Sequence, residues 1–394
     1  MKIRLGVIFG GMSVEHEVSV ISALQAINAA DKSKYDVIPI YISKDGRMYT
    51  GQKLFDVDTF KDMEKLKEEN IQISLLRADG KVKMVKYPPN KLKTSDIGAI
   101  DVFLPVVHGT NCEDGSLQGI LENLNVPYCG CNVISSAAGM DKTIMKKILA
   151  YENIPVAKGI DFSNRDYFIA KDEIIEKIEA LGYPVVVKPY NLGSSVGVSK
   201  AEDRLSLEKG IEQAFEFTNK VLIEECIANL REINCSVLGD YKKAQASVCE
   251  EPISSGILDY ADKYLGNSKQ KGMASLSRKV PADITKKEET KIHELSLKTF
   301  KVLGCAGVSR IDFLMNDKTK DIYVNEINTI PGSLAFYLWE KSGISFKELI
   351  DRLVEIALSA HKEKNEKCFT YEENILKNGD FKGGLKNGSK GSKI

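Results

Sequence analysis

The first forty residues constrain the fold most strongly. An apolar strand over Ile3 to Phe9 is followed by a helical pattern over Glu15 to Asn28 and by a second apolar strand over Tyr35 to Ile42. A strand, a helix and a strand in this order predict a βαβ unit with two parallel strands. The glycines after the first strand do not form G-x-G-x-x-G, and the second strand lacks a terminal acid, so a dinucleotide-binding dehydrogenase is disfavoured.

The rest of the chain continues with mixed elements. A strand over Ile100 to Val107 and a helix over Gly115 to Asn123 complete a first α/β domain that we expect to close near Gly130. An α+β pattern follows, with helices at Met140 to Ala150, Asp172 to Leu181, Lys286 to Leu303 and Phe346 to Ala360, and strands at Val185 to Lys188 and Val221 to Glu225. At 394 residues the chain is too long for one ordinary core. The Gly- and Lys-rich residues 364–394 predict a disordered tail.

Charge and composition exclude several classes of function. The formal net charge is zero, with 55 basic and 55 acidic side chains, so no global field attracts nucleic acid or an anionic membrane. No apolar run approaches the roughly 20 residues that span a bilayer, and no signal peptide is evident. Eight scattered cysteines indicate reduced thiols. We therefore expect a cytoplasmic protein.

A pair of short strands near residue 320 predicts a site for a hard cation. Side chains alternate along a strand, so Arg310 and Asp312 share one face, and Glu326 and Asn328 share a face of the next strand. The turn residues 316–320 between them predict a hairpin that brings these faces together. Two carboxylates and an amide oxygen suit Mg²⁺ bridging to nucleotide phosphates. A surface hairpin with solvated acids explains this segment equally well.

Further segments carry candidate ligand contacts. The loop Gly193 to Gly197 follows the strand that ends at Lys188, and its N–H groups suit phosphate oxygens flanked by Lys188 and Lys142. A simple glycine-serine hairpin is the structural alternative. The loop does not contain G-x-x-x-x-G-K-[ST], so a P-loop NTPase is disfavoured. The paired acids Glu224 and Glu225, together with Glu232, suit a ribose or an exocyclic amine, although paired acids at a strand end are usually surface residues.

Three more segments point to a small-molecule site. Glu15 lies in the first turn of a predicted helix, where the macrodipole stabilises its ionised form, and such a group suits an ammonium ion as well as plain solvent. The segment His108 to Gly115 follows a buried strand, where α/β sheets place ligand-binding loops. The polar stretch from Glu251 to Arg278 is long and irregular, which favours a mobile lid.

Taken together, these motifs resemble one family. Its pattern is matched by Gly10-Gly11-x-Ser13-x-Glu15-His16, His108-Gly109 with Glu113-Asp114-Gly115 and Gln118-Gly119, Met140-Asp141-Lys142, Lys188-Pro189 with Gly193-Ser194-Ser195-Val196-Gly197, Arg310-x-Asp312, and Asn325-Glu326-Ile327-Asn328-Thr329-Ile330-Pro331-Gly332. The chain is thereby similar, from about Ile3 to about Ala360, to the D-alanine–D-alanine ligases of the ATP-grasp superfamily. The resemblance implies a Rossmann-like N-terminal domain over 1–130, ATP-grasp subdomains over 131–225 and 226–363, and a lid over 251–278.

The resemblance also implies roles for individual residues. Donor D-alanine and the tetrahedral intermediate would contact Glu15, Ser194, Tyr264, Arg310 and Gly332. The nucleotide would contact Lys142, Lys188, Ser195, Glu224, Glu225, Glu232 and Lys263. Two Mg²⁺ or Mn²⁺ ions would be held by Asp312, Glu326 and Asn328. The implied reaction joins two D-alanines through an acyl phosphate for peptidoglycan synthesis, in a homodimer.

Two segments depart from the family pattern. Cys112 stands where the family usually has glycine. More important, Ser333 to Glu340 stands where the family has a Thr/Ser-rich segment that receives the carboxylate of the second substrate. The hydroxyl of Tyr337 is the candidate replacement for the hydroxyl of that segment. D-Ala–D-Ser or another carboxylate–amine ligation is therefore the alternative activity. A nucleotide-binding regulator without turnover would lack metal ligands or Arg310, and this sequence keeps them.

Overall fold

Three β-sheets organise the part of the chain that the structure describes. The structure is a computed structural model, and it describes residues 2–89, 95–193, 196–253 and 278–370. The expected combination of α/β and α+β folding is confirmed. None of the described helices is both long enough and apolar enough to cross a membrane.

The first sheet has seven strands in the order β6-β5-β4-β3-β2-β1-β7. Its strands are β1 (Ile3–Gly10), β2 (Tyr35–Ile42), β3 (Met48–Thr50), β4 (Ile71–Ala78), β5 (Lys81–Lys86), β6 (Asp96–Ile100) and β7 (Val102–Val107). Strand β1 pairs in parallel with β2 and β7, whereas the other pairs are antiparallel. The predicted βαβ unit is confirmed, because helix α1 (His16–Ala29) joins β1 to β2.

The helices near the first sheet include one that is distant in sequence. The N-terminal part of the chain, which forms this sheet, also contains helices α2 (Met63–Glu69) and α3 (Ser116–Asn123) and two short 3-10 helices, Gln52–Phe55 and Val57–Lys61. The last described helix, Phe346–Asn365, contributes Leu349, Ile350 and Leu353 to the hydrophobic cluster that contains β1 and β7. This helix runs five residues beyond the predicted Ala360, so residues 364 and 365 are helical. Residues 371–394 of the predicted tail lie outside the described residues.

The second sheet is antiparallel, with four strands in the order β10-β9-β11-β8. These are β8 (Gly159–Ser163), β9 (Val185–Pro189), β10 (Ser199–Ala201) and β11 (Lys220–Glu225). Helices α6 (Asn164–Glu179) and α7 (Arg204–Phe215) pack on it around Val187, Ile211 and Ile223. Helix α6 begins eight residues before the predicted Asp172, because Ser163 and Asp166 form a capping box.

The region between the first two sheets contains two helices instead of the one predicted over Met140 to Ala150. Helix α4 (Val133–Met140) ends at Asp141, and α5 (Lys142–Tyr151) begins directly after it. The Asp141 carboxylate accepts hydrogen bonds from the N–H groups of Thr143 and Ile144 at 2.9 and 3.0 Å. This N-cap starts a new helix and places Lys142 in its first turn.

The third sheet is antiparallel, with the order β14-β13-β12-β15-β16. Its strands are β12 (Leu230–Gly239), β13 (Ala244–Pro252), β14 (Arg278–Lys279), β15 (Gly307–Asn316) and β16 (Ile322–Asn328). Helix α8 (Lys286–Val302) lies between β14 and β15. The 3-10 helix Gly332–Ala335 follows β16, and helices α9 (Phe336–Lys341) and α10 (Phe346–Asn365) come after it. The predicted hairpin is confirmed, since β15 pairs with β16.

Candidate active site

The hairpin of β15 and β16 brings the predicted metal ligands together. In its register Arg310 lies opposite Asn328, and Asp312 lies opposite Glu326. Arg310 donates to both oxygens of Asp312, from Nε and Nη2, at 2.7 Å each. The Asn328 amide donates to Asp312 Oδ2 at 3.0 Å. The sequence-predicted donor set therefore occupies one face of the sheet.

The charges in this group are not balanced within the hairpin. Burial raises the pKa of Asp312, and repulsion from Glu326 adds to this, while Arg310 acts against it. Arg310 is also buried, but Asp312 holds its pKa well above the usual value. Two carboxylates that repel one another at a partly buried position favour a cation between them.

A β-bulge connects this hairpin to the second sheet. Asp312 pairs with Glu326 but Phe313 pairs with Val324, so Asn325 is the extra residue on β16. A bulge lets successive side chains leave the regular alternation. Asn325 accepts a hydrogen bond from Lys188 Nζ at 2.9 Å, and Glu326 lies 3.1 Å from Lys142 Nζ. The bulge thus lets two neighbouring residues reach two lysines.

A buried ion cluster faces the hairpin from the second sheet and α5. Glu224, which is 1% exposed, lies 2.7 Å from Lys188 Nζ and 2.5 Å from Lys146 Nζ. Burial alone would raise the pKa of Glu224, but the two lysines outweigh it and hold the pKa below its ordinary value. Burial alone would lower the pKa of Lys188, but Glu224, with Glu326 and Glu232, raises it above its ordinary value, whereas burial lowers the pKa of Lys146. One carboxylate here serves two cations, so positive charge remains for an anion.

The other residues predicted to contact the nucleotide differ in what they contact. Glu225 accepts a hydrogen bond from the Lys158 backbone N–H at 2.9 Å, so it stabilises the entry to β8. Glu232 is exposed on β12 and acts electrostatically on Lys188. Ser194, Ser195, Lys263 and Tyr264 lie outside the described residues, as does most of the predicted lid.

Glu15 is the N-cap residue of α1, one position before the predicted first turn. Its side chain is 9% exposed and lies against the glycine loop: a Cβ atom at Gly193 would be 2.9 Å from Glu15 Oε2. A Cβ atom at Gly109 would be 3.0 Å from the same oxygen. Glycine at both positions leaves room for this carboxylate, which brings the first sheet and the glycine loop to one place.

Glu113 and His108 tie the first sheet to the segment after β16. Glu113 accepts hydrogen bonds from the Ile330 N–H at 2.9 Å and from the Thr329 hydroxyl at 3.3 Å. His108 Nδ1 lies 3.0 Å from the Ile330 carbonyl. Burial raises the pKa of Glu113 to about 7 and lowers the pKa of His108 to about 4. These two buried groups position the backbone that leads to Gly332.

The segment after Gly332 has an unusual backbone. Ser333, Leu334 and Ala335 have φ values of 51°, 53° and 51°, a left-handed run of three residues that carry Cβ atoms. The Ser333 N–H donates to Ser22 Oγ at 3.0 Å, which anchors the run to α1. Such strain persists only where the surroundings hold it, and all three residues are buried.

Tyr337 belongs to a polar group that reaches across the third sheet. Its hydroxyl donates to Glu250 at 2.8 Å, and the Arg278 guanidinium lies 4.4 Å from its ring centre. Glu250 is 2% exposed and also contacts Arg278 at 3.2 Å and Asn234 at 3.1 Å. Asn234 is the register partner of Asp312. The segment that departs from the family pattern is therefore connected to the sheet face that carries the predicted metal ligands.

Two sequence models of one family cover most of the chain. The model described as D-ala D-ala ligase N-terminus matches residues 4–131, and the one described as D-ala D-ala ligase C-terminus matches residues 148–355. This chain belongs to the D-alanine–D-alanine ligase family.

Relatives and solved structures agree with this assignment. The D-alanine–D-alanine ligase of Thermosipho melanesiensis is 42% identical, with 95% of this chain and 98% of that protein covered. The ligase of Bacillus cytotoxicus is 39% identical, with 94% of this chain and 99% of that protein covered. The D-alanine–D-alanine ligase structure from Coxiella burnetii has a TM-score of 0.76 and 29% identity, over 93% of this chain and 98% of that chain. The ATP-grasp architecture that the family resemblance implied is thereby confirmed.

A D-Ala:D-Ser ligase is similar to the same degree. The VanG D-Ala:D-Ser ligase from Enterococcus faecalis has a TM-score of 0.76 and 31% identity, over 91% of this chain and all of that chain (100%). Family membership therefore leaves the choice of second substrate open within the family.

Sequence reasoning missed several residues that the fold brings to the site. Lys146 follows Lys142 by one helical turn, so helical periodicity was a usable signal for it. Glu113 stood inside a recognised motif, but its partner Ile330 is 217 positions away. Glu250 and Arg278 had no local signal, because both come from strand pairing.

Proposed function

We propose that this chain joins two D-alanines to form D-alanyl-D-alanine and that ATP is cleaved to ADP and phosphate in the process. The contact of 3.1 Å between Lys142 and Glu326 carries the proposal, because it links the lysines of α5 and the second sheet to the carboxylates of the third sheet. A nucleotide triphosphate with its metal needs both kinds of group at one place.

The lysines would bind the phosphates of ATP. Lys142 and Lys188 approach the hairpin from two elements, and Lys146 shares Glu224 with Lys188. An incoming phosphate would take over part of the attraction that Glu224 and Glu326 now supply. Glu232, exposed at the edge of this group, would accept hydrogen bonds from the ribose, and Ser195, Glu225 and Lys263 would complete the nucleotide contacts.

Asp312, Glu326 and Asn328 fit a site for Mg²⁺ or Mn²⁺. All three donor groups are oxygens, and the mutual repulsion of the two carboxylates favours a cation between them. A divalent ion there would neutralise charge on the transferred phosphoryl group. Two such ions are the expected number. Arg310 fixes the orientation of Asp312 through its two hydrogen bonds.

Glu15 would hold the ammonium group of the donor D-alanine. Its carboxylate is held between Gly109 and Gly193, which leaves an oxygen close to the glycine loop. Ser194 and Tyr264 would complete a hydrogen-bonded chain with Glu15, and the lid would exclude water while the activated intermediate exists.

The reaction would have two steps. A donor carboxylate oxygen attacks the γ-phosphorus of ATP, and the bond to the ADP oxygen breaks, which gives an acyl phosphate and ADP. The neutral amine of the acceptor then attacks the acyl carbon, its proton leaves, and phosphate departs as the peptide bond forms. Arg310 and the Gly332 N–H would stabilise the oxyanion of the tetrahedral intermediate.

D-serine is the second candidate acceptor, and a particular segment favours it. Residues 333–340 depart from the family pattern, and the VanG D-Ala:D-Ser ligase is 31% identical to this chain. Tyr337 already donates its hydroxyl to Glu250 and so is oriented by the protein before any acceptor binds.

Product analysis separates the two acceptors. Purified protein would be incubated with ATP, Mg²⁺ and D-alanine, with and without D-serine or D-lactate, and products identified by mass spectrometry. Efficient D-alanyl-D-alanine formation from D-alanine alone supports the main proposal. A product that appears only with D-serine would move the chain to the alternative, and absence of any product would refute both.

Glu15→Gln tests the donor site separately. We expect the KM for the donor D-alanine to rise at least about tenfold, because a charge-assisted hydrogen bond is lost, while nucleotide binding stays the same. A selective loss of ATP binding would contradict this role. We further propose a cytoplasmic homodimer that supplies peptidoglycan synthesis.

A further inference from the structure

A group of sulfur and nitrogen atoms lies on the opposite side of the third sheet from Asp312. Cys235 on β12 is the direct register partner of Cys249 on β13. Helix α8 packs over these strands and brings His293 to the two thiols. One ligand atom from each of the three residues lies within 4.8 Å of the others.

Strand alternation separates this group from the catalytic face. Asn234 and Ser236, the neighbours of Cys235, pair in register with Asp312 and Arg310. Side chains of adjacent residues point to opposite faces, so Cys235 points away from the metal-ligand side and into the core under α8. Both thiols are free, and their residues are 0% and 2% exposed.

The polar atoms around the thiols are incompletely paired. His293 and Ser296 are three residues apart on α8 and both contact the Cys235 thiol. The His293 ring also contacts the Ser247 backbone, but His293 Nε2 and Ser296 Oγ are buried and make no regular hydrogen bond among the described residues. A buried polar atom without a partner is costly, so its retention calls for an explanation.

A β-bulge supports the arrangement from the backbone. Cys235 pairs with Cys249, but Val237 pairs with Ala246, so β13 has one extra residue beside Cys249. Cys235 Sγ lies 3.6 Å from the Ser247 carbonyl oxygen in this bulge. The Cys235 S–H can donate to this carbonyl, and ion binding would release that proton so that Sγ becomes a ligand.

The donor set selects a particular kind of ion. Two thiolates and an imidazole are the ligands of Zn²⁺, whereas Mg²⁺ prefers oxygens. Bonds of about 2.3 Å to sulfur and about 2.0 Å to nitrogen place tetrahedral ligands roughly 3.5–3.8 Å apart. Side chains within 4.8 Å of one another need only small adjustments to reach that geometry.

We propose that Cys235, Cys249 and His293 bind one thiophilic divalent cation, Zn²⁺, with the Ser296 hydroxyl facing the fourth position. Binding releases the protons of both thiols to solvent. The ion links β12, β13 and α8, and so it stabilises the sheet that carries Asp312 on its other face.

Cobalt substitution tests this site independently of ligase activity. Full-length protein, reduced and freed of metal by chelation, would be titrated with Co²⁺ alone and followed by absorption spectroscopy. We expect one equivalent of Co²⁺ with a thiolate-to-cobalt charge-transfer band, and Zn²⁺ should displace it and raise the melting temperature. Cys235→Ser and His293→Gln should each remove or strongly weaken the band.

Cys305→Ser is the matched control, because Cys305 is a buried thiol of the same hydrophobic cluster outside this group. The control should keep the band. If Cys235→Ser does not fold, His293→Gln decides, since that residue is less buried. Co²⁺ bound without a thiolate band, a band that survives both ligand variants, or a Cys235–Cys249 disulfide that reduction does not convert to a metal-binding form would each overturn the proposal.

Discussion

The proposed phosphate-side cluster and the proposed acceptor segment are held in place by different kinds of interaction. The phosphate-side cluster, defined here as Lys142, Lys146, Lys188, Glu224 and the Asp312 hairpin, is held by short ion pairs between regular elements. The acceptor segment, residues 332–340, is held by a strained left-handed backbone and by long-range hydrogen bonds. The comparison teaches that the proposed phosphate contacts lie on regular strands and helices, whereas the proposed acceptor segment depends on tertiary contacts.

The largest expected effect tests the cluster at its metal ligand. Asp312→Asn removes a carboxylate charge and weakens the hold on Arg310, so we expect kcat to fall about 1000-fold, the scale seen when one preorganised charge-stabilising group is lost. Steady-state phosphate release measures it. Asp317→Asn, in the turn of the same hairpin and 49% exposed in its side chain, should stay within about twofold. Equal activities of the two variants would contradict the metal assignment.

Glu224→Gln tests how the cluster contributes to stability. Removing one partner of a buried ion pair leaves uncompensated charge, so we expect a loss of about 3–5 kcal/mol in the free energy of unfolding. Chemical denaturation measures it, and added ATP should restore part of the loss. Lys147→Met breaks an ion pair whose lysine side chain is 64% exposed, and it should cost no more than about 1 kcal/mol. A small loss in Glu224→Gln would show that its lysines are solvated.

Glu113→Gln tests the link between the first sheet and the acceptor segment by pH. The pKa of Glu113 is raised from 4.5 to about 7, so the folded state holds a proton that the unfolded state has lost between these values. The native protein therefore loses stability as pH rises from about 4.5 to 7, by about 3 kcal/mol at 1.36 kcal/mol per unit. The glutamine variant lacks this group and should show a flatter profile.

Unfolding measured at pH 5 and pH 8 for both proteins checks this difference. Identical pH profiles of the wild type and the variant would show that Glu113 titrates normally. Asp114→Asn is a suitable control. Asp114 is the neighbouring acid, and its carboxylate accepts a hydrogen bond from the Ser116 N–H at an exposed position.

The smallest expected effect tests the acceptor segment. Tyr337→Phe removes one hydroxyl and its bond to Glu250, and we expect the KM for the acceptor to rise about tenfold, which is about 1.4 kcal/mol, with the donor KM unchanged. Competition between D-alanine and D-serine reads out discrimination directly. Tyr241→Phe removes an exposed tyrosine hydroxyl bonded to Glu363 and should leave both constants unchanged. An unchanged acceptor KM in Tyr337→Phe would separate this segment from substrate choice.

The sequence allowed prediction of those parts of the site whose chemistry follows from local periodicity. Local patterns of apolar residues, which alternate along a strand or recur at helical spacing, predict three features. These are the βαβ unit, the hairpin that pairs Asp312 with Glu326, and the strands carrying Lys188 and Glu224. The site roles themselves remain predictions that mutagenesis must test.

The remaining features depend on information that no local pattern contains. The break at Asp141 needed recognition of an N-cap, and the bulge at Asn325 follows from pairing register. Glu250 meets Tyr337 and Arg278 only after β13, β14 and α9 have packed. Tertiary contacts between distant segments, and not propensity, decide these placements.

Oxygen transfer from the donor tests the central claim most directly. D-alanine labelled with ¹⁸O in its carboxylate would be turned over with ATP, and the released phosphate analysed by mass spectrometry. An acyl phosphate intermediate transfers one labelled oxygen to each phosphate, which is the result we predict. Unlabelled phosphate formed together with dipeptide would contradict attack of the donor carboxylate on the γ-phosphorus, and with it the chemistry assigned to this site.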